Sequence, residues 1–530
     1  MNDWKISVTV NLHAALRQLR AEKIKWVWVD FLCINQQDSE ERSIQIGRMS
    51  TIYKRAEQVV VWLGDDQGIK EDDLASLSAM TTRHALSVSA RQTFIELLSR
   101  PYWTRVWIIQ ELAAASSIII FCGHYKLSWE IFSNDSYTES VAVVDETASN
   151  ELEIRFQKIC QFRKDKVNRE PIRLVDALYR SQSTLSTDPR DKLYALLGLA
   201  FDSDRFIPEP NYHLSKEETY TDFSLALMEN KFPLDFIYLR SSNRQVYDSL
   251  PSWVVDWSDL NDTLAREEFG HILKLKSILL MPYLDQQKQI HNSKNILVVS
   301  GFILGTIDGL SSAFFASKSD IVSTSGKGAA LSRKGAALVQ PDCSSYMFNA
   351  LPELDCSSYI FDALFETRQL SAASIMSLPS PMRFWSFITR TSLEVLFDGY
   401  TLPSGVGRVL DWFNENHSLV IFGRAIEYWN NTWTSQPRDK DWSSLQSTYL
   451  QSLVRTIMSG MRIAILESGQ LGWVHPQSRK GDKIAKVFGC DRHVVLRQCS
   501  KGYQVIGEAR PCWLAGEPES LDKARSLIIV

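Results

Sequence analysis

The chain has 530 residues, 45% hydrophobic and 23% charged, with a formal net charge of −4 and a pI near 6.2, the profile of a soluble globular protein of roughly two to four domains. Such a charge argues against a global attraction to nucleic acid or to anionic membranes, and no apolar run reaches the roughly eighteen residues of a bilayer span. Eight cysteines without a CxxC pair, and a start (MNDWKISVTV) without the basic-then-apolar plan of a signal peptide, point to reduced thiols, no structural metal and a cytoplasmic location.

The first third alternates in hydrophobic period. Asn11 to Arg20 reads as a helix with Leu12, Leu16 and Leu19 on one face and Asn11 as its cap. Lys25 to Ile34 (KWVWVDFLCI) reads as a buried strand broken only by Asp30, and Ser39 to Arg55 as a helix. Gln58 to Leu63 is the next strand, stopped by Gly64-Asp65-Asp66. Helices follow at about Leu74–Met80 and Ala90–Leu98, Pro101 opens another running to about Ala115, and Ser117 to Cys122 is a third buried strand. Strand–helix–strand alternation with β-branched runs predicts a mostly parallel α/β sheet, with strands near 26–33, 58–63 and 117–122.

Residues 133–150 read as a polar loop, and helices are expected at 151–163, 172–181, 190–199 and 215–229. Pro251-Ser252-Trp253 with Asp256-Trp257 reads as a rigid turn packed by two indoles, and Asn295–Asp308 as a hairpin. KGAAL occurs at Lys327 and Lys334, and DCSSY at Asp342 and Asp355, repeats too short for a solenoid and read as local duplications in a mobile insertion. From Arg462 the short strands RIAIL, LGWV, KIAKVF, HVVLRQ and YQVIG predict a small antiparallel sheet or barrel. The expected organisation is an α/β domain over 1–200, a helical and hairpin extension over 201–310, the insertion over 311–372, a helical region over 373–460 and a small β subdomain over 461–530.

Three stretches join an apolar run to a knot of polar groups: WVWVDFLCINQQDSEER from Trp26, RPYWTRVWIIQEL from Arg100 and STDPRDKLYALLG from Ser186. In the first, Asp30 inside an apolar run needs a partner or a solvent-facing strand end. With Cys33, Asn35 and Gln36 it forms either the rim of a ligand cleft at the strand's carboxyl end, or a turn in which Asn35 and Asp38 cap the next helix. Cys33 reads as a small buried apolar side chain, the nearest histidine in sequence being His13. In the second, Arg105, Trp107, Gln110 and Glu111 place a cation, an indole, an amide and a carboxylate on one helix, where Arg105 and Glu111 can form a structural pair bridged to Asp30. In the third, Asp188 caps, Pro189 takes the first helical position and Asp191 favours the positive helix end, so Asp188, Arg190 and Asp191 read as structural. No P-loop, GxGxxG, HExxH or GxSxG occurs, and the aromatics are not interleaved with clustered basic residues.

Taken in order, with CIN before QQD and IIQEL before AAA, these stretches resemble the fungal heterokaryon-incompatibility (HET) domain over roughly the first half of the chain. The tail from MRIAILESGQLGWV also looks like that of HET proteins. The resemblance implies non-self recognition and programmed cell death, through contact with other proteins or self-association. W-I-I-Q-E-L-A is similar to a stretch of Toll/interleukin-1 receptor-like (TIR) domains, several of which hydrolyse NAD. This second resemblance implies a TIR- or flavodoxin-like sheet, Glu111 as catalytic carboxylate, Trp107 as a wall of the site and NAD as substrate, with the helix start at Ser39–Arg42 facing the pyrophosphate. A degenerate paralogue without activity is the third expectation. HET domains begin with a strand ending Ser-Tyr-x-Trp-Gly that this chain starts too late to contain. Either Trp4–Val10 takes its place in the sheet or the sequence is truncated, and in both cases weak or no NAD cleavage is expected.

Overall fold

A computed structural model describes residues 6–78, 87–133, 148–240, 249–260, 269–270, 272–273, 295–311, 420–421, 424–425, 461–468, 471–511 and 524–530. The chain divides into two units, Met1–Asn230 and Lys231–Val530.

The first unit opens with α1 (Val10–Ala21), capped by Thr9, whose hydroxyl accepts from the Leu12 N–H at 3.2 Å. Asn11, expected as the cap, instead accepts a 3.0 Å bond from the Trp62 indole. Residues 6–9 form no strand, so the described part of Trp4–Val10 does not enter the sheet. The strand predicted at 26–33 is also absent. Residues 24–29 run without a ladder partner, and Asp30–Cys33 makes one helical turn, α2. Trp26 is 92% exposed, and Cys33, expected to be buried, is exposed with it. A β-branched and aromatic run does not make a strand unless a neighbour takes its backbone groups.

Past α3 (Ser39–Arg55) the strands expected near 58–63 and 117–122 are present. β1 (Val59–Trp62) pairs in parallel with β2 (Ile118–Cys122), Val59 opposite Ile118, and β2 pairs antiparallel with β3 (Tyr125–Ser128). The crossover carries α4 (Glu71–Ser78), α5 (Val88–Ser99), a 3-10 turn (Pro101–Thr104) and α6 (Ile108–Ala114). The described sheet is therefore three-stranded and mixed rather than mostly parallel. Leu19 of α1 packs on one face against Ile119 and Phe121.

After α7 (Glu130–Ser133) come α8 (Ala148–Asn168), α9 (Leu174–Ser181), α10 (Asp191–Leu197) and α11 (Lys216–Glu229), close to the expected helices. From α8, Arg163 donates to the carbonyls of Leu112 (2.8 Å) and Ala115 (2.6 Å), satisfying acceptors that the end of α6 leaves open. Gly198 closes α10 against α3 and α6, where a Cβ would lie 2.2 Å from Gln110 Nε2 and 2.7 Å from Ser50 Cβ.

In the second unit β4 (Leu297–Leu310) is one strand, not the expected hairpin, bent where its register shifts between Ile303 and Gly305 and between Ile307 and Gly309. Its glycines allow bends and close contacts instead of a turn. Beyond the two-residue strands β5 (Val420–Ile421) and β6 (Arg424–Ala425) come β7 (Arg462–Leu466), β8 (Leu471–Val474), β9 (Lys483–Val487), β10 (His493–Cys499), β11 (Gly502–Pro511) and β12 (Arg525–Ile529). Pairing runs β4–β9–β10–β11–β8–β7 and back to β4, with β12 joining β4 and β11. The expected antiparallel sheet is therefore a closed barrel. Ile307, Leu466, Val474, Ile484, Val495 and Ile506 share its core, and the indoles of Trp253 and Trp257 are buried as expected. The KGAAL and DCSSY duplications, and nearly all of 373–460, lie outside the described residues.

Candidate functional site

Each of the three motif stretches is shaped by a local bond that aims its polar groups. In the first, Asn35 Oδ1 accepts from the Gln37 N–H at 3.2 Å, and Asp38 accepts from the Glu40 and Glu41 N–H groups at 3.0 Å, capping α3. Asn35 and Asp38 are thus turn and cap, and of the amides expected to face a pyrophosphate those of Glu40, Glu41 and Arg42 are already taken by Asp38. In the second, the predicted helix from Pro101 to Ala115 breaks at Arg105. There the chain forms a short parallel bridge with Leu185, the Val106 N–H donating to Leu185 O at 2.9 Å and the Leu185 N–H to Thr104 O at 2.5 Å. This bridge brings the third stretch against the second. Asp188 then turns the chain by accepting from the Arg190 N–H at 3.1 Å, just before α10.

The three stretches surround one cavity of about 750 Å³, within the range of small-molecule sites. Asp30 and Gln36 line it from the first, Tyr102, Arg105 and Trp107 from the second, and Thr187 and Asp191 from the third; Leu63, Gly64 and Asp65 contribute the carboxyl end of β1. An adjoining hollow of about 590 Å³ shares Gln36, Arg42 and Asp191 and adds Asp188 and Arg190. Cys33, Asn35, Gln110 and Glu111, expected at the site, do not line the cavity. Gln110 is 1% exposed and packs beside Gly198.

Asp191 is the hub. It accepts from the Trp107 indole at 3.0 Å and from the Tyr212 hydroxyl. Arg42 lies 3.7 Å from it and 3.5 Å from Asp188, with its guanidinium 3.7 Å above the Tyr212 ring. Arg190 grips Asp188 with two bonds (2.9 and 2.7 Å) and donates to the Tyr212 carbonyl at 3.0 Å. Burial pushes the Asp191 carboxyl up, against the two hydrogen bonds that favour its charge. Lys192 points elsewhere, its ammonium held by the Gln182 carbonyl (3.3 Å) and that of Thr184, and burial pushes it down to about 8. Arg42 and Tyr212 carry no composition signal of their own; only the fold brings them to Asp191.

Glu111 sits behind this wall, 8% exposed. It takes a 3.1 Å hydrogen bond from the Tyr102 hydroxyl rather than the expected ion pair with Arg105. Burial raises its pKa, the Arg105 charge opposes that rise and the Asp30 charge adds to it. Burial and the Glu111 and Asp30 carboxylates likewise push the Tyr53 phenol up. Asp30, Tyr53, Tyr102, Arg105 and Glu111 therefore form one electrostatic cluster, with Asp30, Tyr102 and Arg105 at the cavity. Among the described residues no group of three or more His, Cys, Asp or Glu side chains is placed to hold a metal, and no helix is long and apolar enough to cross a membrane.

Residues 1–111 match the family described as heterokaryon incompatibility protein (HET). Heterokaryon incompatibility protein 6, OR allele, of Neurospora crassa is 26% identical over 382 residues, which is 57% of this chain and 55% of that protein. The chain spans about half the length of this curated relative. No solved structure matches.

Proposed function

We propose that this chain, whose N-terminal part is a HET domain, is a cytoplasmic effector of non-self recognition that promotes cell death by protein contact or self-association, without cleaving NAD. The observation that carries the reading is the convergence of all three motif stretches on one cavity, with Asp191 joining Trp107, Arg42 and Tyr212. Motif residues that share one hydrogen-bonded hub act as a unit, and a ligand or partner seated there would bias all three stretches together.

The position of Glu111 supports a role without chemistry. A carboxylate that stabilises an oxocarbenium-like state must reach the sugar. Glu111 has Tyr102 between itself and the cavity, and its raised pKa works against the charged form that such a role needs. The NAD-hydrolase reading draws its support from Trp107 and Asp30 in the same wall.

Expression in a fungus, with cell death and cellular NAD recorded together, tests the proposal. The chain and its Glu111→Gln variant should both cause death with NAD unchanged, and Asp191→Asn should lose the activity. A fall in NAD that Glu111→Gln abolishes would promote the hydrolase. No death from any form would leave the degenerate paralogue.

A further inference from the structure

Three guanidinium groups line the cavity, and two are already spent. Arg42 is held by Asp188, Asp191 and the face of Tyr212. Arg100 donates to Glu96 at 3.1 Å and to the Gln67 carbonyl at 3.4 Å, with Asp65 at 3.7 Å. Arg105 makes no side-chain hydrogen bond and no ion pair among the described residues, although it lines the cavity and keeps solvent exposure. Its backbone is pinned by the bridge to Leu185, so the guanidinium is offered from a fixed point.

From these observations we propose that the cavity binds a small organic oxyanion, a carboxylate or a phosphate, with the Arg105 guanidinium as its anchor. The proposal rests on the reading of this cavity as the functional site and names its ligand class. A guanidinium presents five donors in a planar fork that matches two oxygens of a carboxylate or phosphate. Glu111 and Asp30 act on the Arg105 charge from a distance, but among the described residues neither makes a hydrogen bond or ion pair to it, so the donors of the fork stay open. The rival anion site at the start of α3 is closed by Asp38. The indole N–H groups of Trp62 and Trp107 are used by Asn11 and Asp191, which leaves ring carbon to meet the body of the ligand. An oxyanion with an apolar or aromatic body is therefore the matching chemistry.

Phenyl phosphate and benzoate serve as probes on the full chain, with benzyl alcohol as the uncharged control. At least one anion should bind by calorimetry, and whichever binds tighter separates a phosphate from a carboxylate ligand. The bound anion should slow phenylglyoxal modification of Arg105, mapped by peptide mass, by about tenfold or more, and leave the exposed Arg48 unaffected. Arg105→Gln should weaken binding by about tenfold or more, and Arg105→Lys by less, because it keeps the charge and loses the fork. No binding of either anion, no protection of Arg105, or equal binding by benzyl alcohol overturns the proposal. The protection measurement uses the unaltered chain, so it decides even if the variants fail to fold. Binding is measured without cells: anion binding in a chain inactive in the death assay would sink the functional reading and spare this one, and the reverse pattern would do the opposite.

Discussion

The Arg105 cluster of the N-terminal unit and the barrel of the second unit handle buried charge in different ways. In the barrel unit charges are closed against each other: Glu508, fully buried, meets Arg510 at 2.6 Å and also Arg492, and Asp482 accepts two bonds from Arg497 at 2.9 and 2.8 Å. In the N-terminal unit Asp30 and Arg105 line a cavity without an ion pair between them among the described residues, and Glu111 takes a hydrogen bond from a phenol instead of a guanidinium. The same residue types thus build a scaffold where Glu508 and Asp482 are met directly by guanidinium groups and a candidate site where one guanidinium is left without such a partner. Closure, more than burial or charge alone, separates the two roles.

The comparison breaks most easily at Glu508. Glu508→Ala leaves two arginines beside an emptied, water-excluded position, a loss of about 3–5 kcal/mol for a broken buried pair. Denaturant unfolding should show the barrel failing first. A change within about 0.5 kcal/mol, the size expected of a surface substitution, would mean that its charges are no more closed than those of the cavity. Next in size is Gly198→Ala, which drives a methyl to within 2.2 Å of Gln110 Nε2 between α10 and α6. Overpacking of this kind costs about 1–3 kcal/mol. Gln110→Ala in the same chain should restore part of the loss, because it removes the atom struck. Additive effects of the two changes would show that the contact is not what fixes Gly198.

Much of this contrast could be read before any coordinates. The helices at 39–55, 88–99, 174–181 and 216–229, the strands at β1 and β2 and the barrel strands β7 to β11 follow from hydrophobic period alone, whereas β12 (Arg525–Ile529) was not foreseen. The run at Trp26 did not, because Trp-Val-Trp-Val is strand-like only if a neighbour supplies a ladder, and Trp26 stays 92% exposed instead. β4 was misread at its glycines, which bend a strand as readily as they end one. Within the candidate site, Asp30, Gln36, Arg105, Trp107 and Asp191 were visible as unusual residue types in dense motifs. Tyr212 was not, since it reaches Asp191 across 21 residues of chain. Arg42 pairs with Asp188 across 146, a distance that periodicity cannot span.

Smaller again is Trp107→Phe, which keeps the ring but removes the N–H that Asp191 accepts at 3.0 Å. A single bond to a carboxylate that retains the Tyr212 hydroxyl is worth about 1 kcal/mol. In a double-mutant cycle with Asp191→Asn the two changes should couple, and independence would show that the hub is two separate contacts. A comparable loss among the paired charges of the barrel should need an ion pair rather than one hydrogen bond.

The smallest effect sharpens the contrast through its sign. Glu111 titrates above its ordinary 4.5 when folded, chiefly because burial disfavours the charge. As pH rises past about 4.5 the unfolded chain releases this proton first, so the folded state holds more protons and stability falls until the folded carboxyl also ionises. Glu111→Gln replaces a neutral acid by a neutral amide of similar shape. Its stability should match the parent in acid and exceed it increasingly toward neutral pH. The barrel carries the opposite slope: burial pushes His475 from 6.5 down to about 3, so the unfolded chain gains the proton first as pH falls through that window, and stability is lost toward acid. Denaturation midpoints followed across pH should therefore shift in opposite directions for Glu111→Gln and for a His475→Gln variant. Parallel pH curves for Glu111→Gln and its parent would mean that Glu111 is solvated and ordinary, placing it at the cavity after all and returning the carboxylate to the set of groups able to meet a substrate.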